Sequence, residues 1–298
     1  MARLISLVED AHPCLREVMA LLAPDAGRAH VVGVTGAPGV GKSTTTNALV
    51  TLYRERGLRV GVLAVDPSSP FSGGALLGDR VRMSEHAADP EVFIRSMASR
   101  GHLGGLSWAA PQALRVLDAA GCDVVLLETV GVGQSEVEVA ATADSTVVLL
   151  APGMGDGIQA AKAGILEVAD VLVVNKADRD GADRTVRDLR HAVSLADAAA
   201  GAWRTPVLRT VGTTGTGVPE LVSALEGHRS WMGDAGLRAR RERRAAREVE
   251  ALALDALRTR VGGVGGDARL STLAGEVVAG RLDPYAAADS LVASVTAG

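Results

Sequence analysis

Apolar residues run together in five short blocks along the first two thirds of the chain: residues 31–35, 60–66, 124–128, 146–151 and 171–175. Each block ends on polar residues or glycine. None alternates in polarity. A strand with one wet face alternates with a period of two, whereas continuous Val/Leu runs mark strands covered on both faces, as in parallel sheets flanked by helices. Helix-compatible stretches separate the blocks, at 44–56, 106–120, 159–168 and 182–199, and a weaker strand at 206–210 precedes a helix over 218–231. This alternation predicts an α/β fold, a doubly wound and mainly parallel sheet over residues 29–231.

Two segments fall outside that pattern. Residues 3–22 read as an amphipathic helix broken at Pro13, so 1–28 is expected to form an N-terminal helical extension. Residues 232–298 read as all-helical. In the stretch 237–260, Val249, Leu252, Ala253, Ala256 and Leu257 share one face at helical spacing, and the glycine-rich 262–266 separates it from two shorter helices. This segment lies beyond the last strand with no sheet left to cover. Its apolar stripe therefore predicts a homodimer joined through the C-terminal region.

In open α/β sheets ligands sit beyond the carboxyl ends of the strands, so the residues that end each run carry the candidate chemistry. The first run leads into Gly36, Ala37, Pro38, Gly39, Val40, Gly41, Lys42 and Ser43, followed by Thr44, which fits G-x-x-x-x-G-K-S/T between a strand and a helix. Glycines let backbone N–H groups turn toward one phosphate chain, and the helix N-terminus adds its positive end. Lys42 can reach β- and γ-phosphate oxygens, and the Ser43 hydroxyl can ligate Mg²⁺. The second run ends on Asp66, with Asp79 further along a Ser/Gly/Pro-rich loop. The third ends on Glu128, then Thr129, Val130 and Gly131. Glu128 stands where most GTP-binding proteins place Asp. Asp123 is its rival, but at the other end of the same strand. Hard oxygen donors suit magnesium, so Asp66 and Asp79 could each bind the metal directly or through water. Lys42, Glu128 and Asp66 are the candidate catalytic residues, and Gly131 can donate its N–H to a γ-phosphate.

The fifth run ends on Asn175, Lys176, Ala177 and Asp178. A carboxylate at Asp178 can accept from guanine N1–H and the exocyclic amine together, and adenine offers no such pair of donors on that edge. GTP and GDP are thus the expected ligands, with Thr210 and Val211 contributing backbone contacts on the guanine side. No residue obviously positions the attacking water, so unassisted turnover should be slow. Arg80 and Arg82 lie in the loop of Asp79.

Composition narrows the remaining classes. Aromatic residues are 2% of the chain and the net charge is −4, which disfavours a base-stacking surface or a field that draws in nucleic acid or an anionic membrane. No apolar run approaches the roughly 20 residues that cross a bilayer. Cys14 and Cys122 form no metal or redox motif, and the N-terminus lacks a signal-peptide pattern, so a cytoplasmic location is expected. The six histidines show no metal-ligand pairing, and most are expected at the surface or at caps.

The blocks 33–44, 62–74, 77–79, 128–136 and 175–178 together closely resemble the MeaB/ArgK family, which includes the methylmalonic aciduria type A protein. The resemblance extends from Leu4 over nearly the whole chain. It implies a P-loop, Mg²⁺-dependent GTPase that chaperones an adenosylcobalamin-dependent acyl-CoA mutase, chiefly methylmalonyl-CoA mutase, gating cofactor delivery and protecting the mutase. It also implies a dimer joined by C-terminal helices, metal coordination around Ser43, Asp66, Asp79 and Glu128, and a switch loop over 152–162. This chain departs from the family pattern at Asp156, Gly157 and Ile158, and at Thr210, Val211 and Gly212. Alternatives are a nucleotide-dependent kinase of an amino-acid transport system, a label this family has carried, and a metal-insertion GTPase.

Overall fold

The computed structural model describes residues 1–66, 84–86, 88–98, 109–129, 135–153, 166–195, 201–261 and 268–296. Seven strands form one sheet: β1 (His30–Gly36), β2 (Val60–Asp66), β3 (Val92–Ala98), β4 (Val124–Thr129), β5 (Ser145–Leu150), β6 (Val171–Val174) and β7 (Val207–Arg209). Every pairing is parallel, in the order β3-β2-β4-β1-β5-β6-β7. β1 lies between β4 and β5, and the loop after it opens at the carboxyl edge of the sheet.

Helices cover both faces, which is why the strand runs do not alternate. Val124 and Leu126 point into one core with Leu49 and Val50 of α3 (Lys42–Glu55) and Leu221 and Leu225 of α7 (Val218–Val261). Val125 and Leu127 point to the other face, against Ile5 and Val8 of α1 (Ala2–Glu9) and Leu114 and Leu117 of α4 (Ala110–Ala119). On the β6 side, Leu172 and Val174 pack with Val186 and Leu189 of α6 (Ala182–Leu195). The N-terminal region is two helices, since α1 and α2 (Leu15–Leu22) flank the turn that holds Pro13.

Two elements were not legible in the runs. One is β3, where Arg95 and Ser96 interrupt an apolar stretch. It is an edge strand paired only with β2 and half-buried, so it has no need of a continuous apolar sequence. The other is α5 (Ser135–Thr142), whose buried Val139 lies against β1. The helix expected over 159–168 is described only at its last turn, Leu166–Val168, and its earlier residues lie outside the described residues, as do 106–108 and 196–199 of two other expected helices.

Residues Met1–Arg240 form one compact unit and Arg241–Gly298 a second. α7 leaves helical geometry at Gly233, with φ 57° and ψ −175°. The second unit holds the end of α7, α8 (Ala268–Val278) and α9 (Pro284–Thr296). The Asp283 carboxylate caps α9 by accepting the N–H groups of Tyr285 and Ala286. Val249, Leu252 and Leu257 are exposed along the second part of α7. Among the described residues, no helix is long and apolar enough to cross a membrane. His30 and His228 are buried, and each is hydrogen-bonded there.

Candidate functional site

The carboxyl ends of β1, β4 and β6 bring the phosphate-loop, acidic and guanine motifs together. Gly36 ends β1, and α3 begins at Lys42 after Gly41, whose φ is 96°. The Lys42 ammonium donates to the Gly36 carbonyl at 2.8 Å and to the Ala37 carbonyl at 3.1 Å, so it lies over its own loop and is almost wholly buried. The next side chain faces the acidic strand. β1 and β4 are neighbours, with Val34 opposite Glu128. The Ser43 hydroxyl donates to Glu128 Oε1 at 2.7 Å, and both side chains are buried. Asp123 lies at the opposite end of β4 and accepts the Arg59 backbone N–H at 2.7 Å. It therefore anchors the start of β2, far from the phosphate loop.

Asp66 is the last residue of β2, one position beyond the pair Val65 and Thr129, so the strand ends beside β4. Its side chain, together with Asp79, Gly131 and the loop over 154–162, lies outside the described residues. Among the described residues no cluster of three metal-ligating side chains occurs.

Asn175 ties the two ends of the site together, a role the motif alone did not disclose. Its side-chain amide donates to the Val40 carbonyl of the phosphate loop at 2.8 Å. Its carbonyl oxygen accepts from the Thr210 hydroxyl and the Gly212 N–H, each at 3.0 Å. Asn175 is 2% exposed, and these three bonds satisfy it in the interior. Gly41 must lack a side chain here, since a Cβ would sit 2.3 Å from the Asn175 amide nitrogen. Lys176, at φ 55°, reaches back to the Gly39 carbonyl at 2.6 Å. The chain then turns, the Ala177 N–H bonds to the Thr210 carbonyl at 3.0 Å, and Asp178 stands exposed at the rim. The N–H groups of Thr210 and Val211 are engaged by Val174 and Thr216 carbonyls. The geometry thus gives Thr210 a supporting role, holding Asn175 with its hydroxyl.

A second brace runs along the outer face of α3. Asn47, Thr51 and Arg54 meet Glu85, His86 and Asp89 at 3.2, 3.1 and 2.8 Å. The segment that follows the Asp79 loop is thereby fastened to the helix that begins with Lys42. The Arg54 hydrogen bond, supported by the Glu91 N–H, holds the Asp89 carboxyl below its ordinary range.

Residues 1–264 match the family model described as methylmalonyl Co-A mutase-associated GTPase MeaB. The chain belongs to this family. A putative GTPase of Pyrococcus horikoshii is 46% identical over 300 residues, covering 99% of this chain and 93% of that protein. The mitochondrial methylmalonic aciduria type A homolog of Mus musculus is 42% identical over 193 residues, covering 64% of this chain and 46% of that protein. A crystal structure described as an LAO/AO transport system kinase superposes with a TM-score of 0.74 at 27% identity, covering 99% of this chain and 92% of the other. The MeaB relationship and the P-loop sheet agree, and the chain is a GTPase of the MeaB/ArgK family.

Proposed function

We propose that this GTPase is Mg²⁺-dependent, cytoplasmic, and a chaperone for an adenosylcobalamin-dependent acyl-CoA mutase of the methylmalonyl-CoA mutase type, where it gates cofactor loading and protects the mutase. The observation that carries the nucleotide part is the Asn175 bridge between the Val40 carbonyl and the Thr210–Gly212 turn, because it sets phosphate and base subsites at one spacing. The mutase part is supported by the match of residues 1–264 to the mutase-associated family.

In this reading the backbone N–H groups between Gly36 and Thr44, Pro38 excepted, cradle the phosphates while the Lys42 ammonium turns from the Gly36 and Ala37 carbonyls to their oxygens. Asp178 reads the guanine edge. Ser43 and Glu128, with Asp66 and Asp79, would hold a magnesium ion, and the Ser43 to Glu128 contact at 2.7 Å presents the hard oxygen donors such an ion takes. When bound, the ion neutralises charge across the β- and γ-phosphate oxygens. Glu128 and Asp66 organise the transferring group, and the Gly131 N–H reports the γ-phosphate to the flanking loops. The sequence offers no evident residue to orient the attacking water, and an activating partner would complete the catalyst.

The test is phosphate release with and without purified mutase from the same genome, beside binding measured under GTP and under GDP. Acceleration and a nucleotide-dependent affinity are expected, since coupling is reciprocal. No rate change and no complex with any candidate mutase would remove the chaperone role. The transport-kinase description of the related structure marks a second reading. Label from γ-phosphate appearing on a protein acceptor, and not as inorganic phosphate, would favour it. The homodimer is supported by exposed Val249, Leu252 and Leu257. A chain ending at Arg240 should run as a monomer in light scattering, and a dimeric truncation would move the interface onto the nucleotide-binding unit.

A further inference from the structure

At the edge of the sheet opposite the phosphate loop, five side chains from separate stretches meet, with His30, Ser145 and His228 buried and Asp170 and Arg240 partly exposed. His30 opens β1, Ser145 opens β5, and Asp170 immediately precedes β6. His228 lies on α7 before the break at Gly233, and Arg240 lies after it. His30 Nε2 is 2.9 Å from Ser145 Oγ, which is 2.8 Å from His228 Nδ1. His228 Nε2 is 3.2 Å from Asp170 Oδ1. Arg240 grips the same carboxylate with both terminal nitrogens, at 3.1 and 2.8 Å, and its Nε donates to the Ala143 carbonyl at 3.1 Å. The Thr146 N–H completes the shell of Asp170 at 2.7 Å.

Ser145, His228 and Asp170 share the connectivity of a hydrolytic triad, but Ser145 is 0% and His228 1% exposed, so no substrate reaches the hydroxyl. The proton arrangement points elsewhere. An ionised Asp170 only accepts, so His228 Nε2 carries the proton that faces it. Nδ1 is then an acceptor and takes the Ser145 hydroxyl proton, and the Ser145 oxygen in turn accepts from His30 Nε2–H. With His228 neutral these contacts are all satisfied. A second proton on His228 turns Nδ1 into a donor, so the Ser145 oxygen must accept from both rings and its own hydroxyl proton loses the acceptor it had in His228.

We propose that this cluster is a proton-sensitive latch, in which Asp170 clasps Arg240 to hold residues 234–240 against the amino edge of the sheet and protonation of His228 loosens the clasp. Burial is the largest influence on His228 and holds its pKa below the ordinary value. Asp170 opposes that shift, and the Arg240 cation adds to it. By reciprocity, a cation that weakens proton binding at His228 is itself held less firmly once His228 is charged. The other groups on the cluster are His30, reached through Ser145, and Asp144, whose carboxylate accepts the Val31 N–H at 3.1 Å. Trp203 and Trp231 flank the ring at 5.0 and 5.8 Å and carry no charge. Because the folded pKa is depressed, the closed latch has its full stability above about 6.5 and loses it as pH falls through the lowered folded value.

The test is amide hydrogen exchange on the full chain, corrected for intrinsic pH dependence, between about pH 7.5 and about pH 5. Wild-type peptides covering 234–240 should exchange several-fold faster at the acid end. In His228→Gln, whose amide can accept from Ser145 and donate to Asp170 without titrating, that acceleration should vanish. Arg240→Ala should exchange fast at both ends. An acid response in His228→Gln equal to wild type, or a flat wild-type profile, overturns the latch. Should His228→Gln fail to fold, the histidine NMR titration of the wild type decides. The His228 midpoint must coincide with the exchange midpoint, and a mismatch overturns the proposal.

Discussion

Replacing Asn175 by Ala tests whether the site is one mechanical unit. The substitution removes three hydrogen bonds at once and strands their partners, namely the Val40 carbonyl at 2.8 Å and the Thr210 hydroxyl and Gly212 N–H at 3.0 Å. Each buried group left without a partner costs about 1–3 kcal/mol. The Thr210 hydroxyl can rotate, so the sum falls at about 3–5 kcal/mol, a large share of a typical total of roughly 5–15 kcal/mol. With a urea slope of about 3 kcal/mol/M the unfolding midpoint should drop by about 1–1.7 M. The phosphate loop also loses its tie to the base turn, so GDP affinity measured with a fluorescent analogue should fall at least about tenfold, or about 1.4 kcal/mol. Asn175→Asp separates the contributions. It keeps an acceptor for Thr210 and Gly212 but sets an oxygen against the Val40 carbonyl, so its loss should concentrate in phosphate-loop stability and nucleotide binding. An Asn175→Ala protein that melts within about 1 kcal/mol of wild type and binds GDP equally well would refute the bridge.

Asp178→Asn should shift preference from guanine toward xanthosine nucleotides, whose base carries an acceptor where guanine carries its amine, and titration calorimetry with GTP, ATP and XTP reads this directly. Glu128→Ala should cut GTP hydrolysis far more than GDP affinity, because its oxygen meets the Ser43 hydroxyl and not the phosphate-loop backbone, and an unchanged rate of phosphate release would remove it from the catalytic set. Gly217→Ala should destabilise the first unit by more than about 2 kcal/mol in a denaturant melt, since its φ of 78° disfavours a side chain and the new Cβ would stand 2.0 Å from the Arg209 carbonyl oxygen. A neutral Gly217→Ala would mean that the turn before α7 relaxes freely.

The strands and their ligand-bearing ends were legible because parallel strands are buried on both faces, and burial writes itself into a chain as uninterrupted Val and Leu. β1, β2, β4, β5 and β6 follow that rule, and the residues closing β1, β2, β4 and β6 carry the recognised motifs. β3 escaped because an edge strand tolerates Arg95 and Ser96, and α5 because its short sequence carries Glu136 and Glu138 beside Val139. The chemical identity of the site is local: G-x-x-x-x-G-K-S and Asn175 to Asp178 each act over a few consecutive residues, so the sequence by itself determined the GTPase class. What depends on residues far apart in the chain was decided by tertiary structure alone. Asn175 meets Val40 across 135 positions, Ser43 meets Glu128 across 85, and Ser145 meets His228 across 83. No local pattern marks His30 and His228 as interior residues. Only the converging strand starts, with Asp170 and Arg240 alongside, supply the hydrogen bonds that make their burial affordable, and those partners exist only once the sheet has formed.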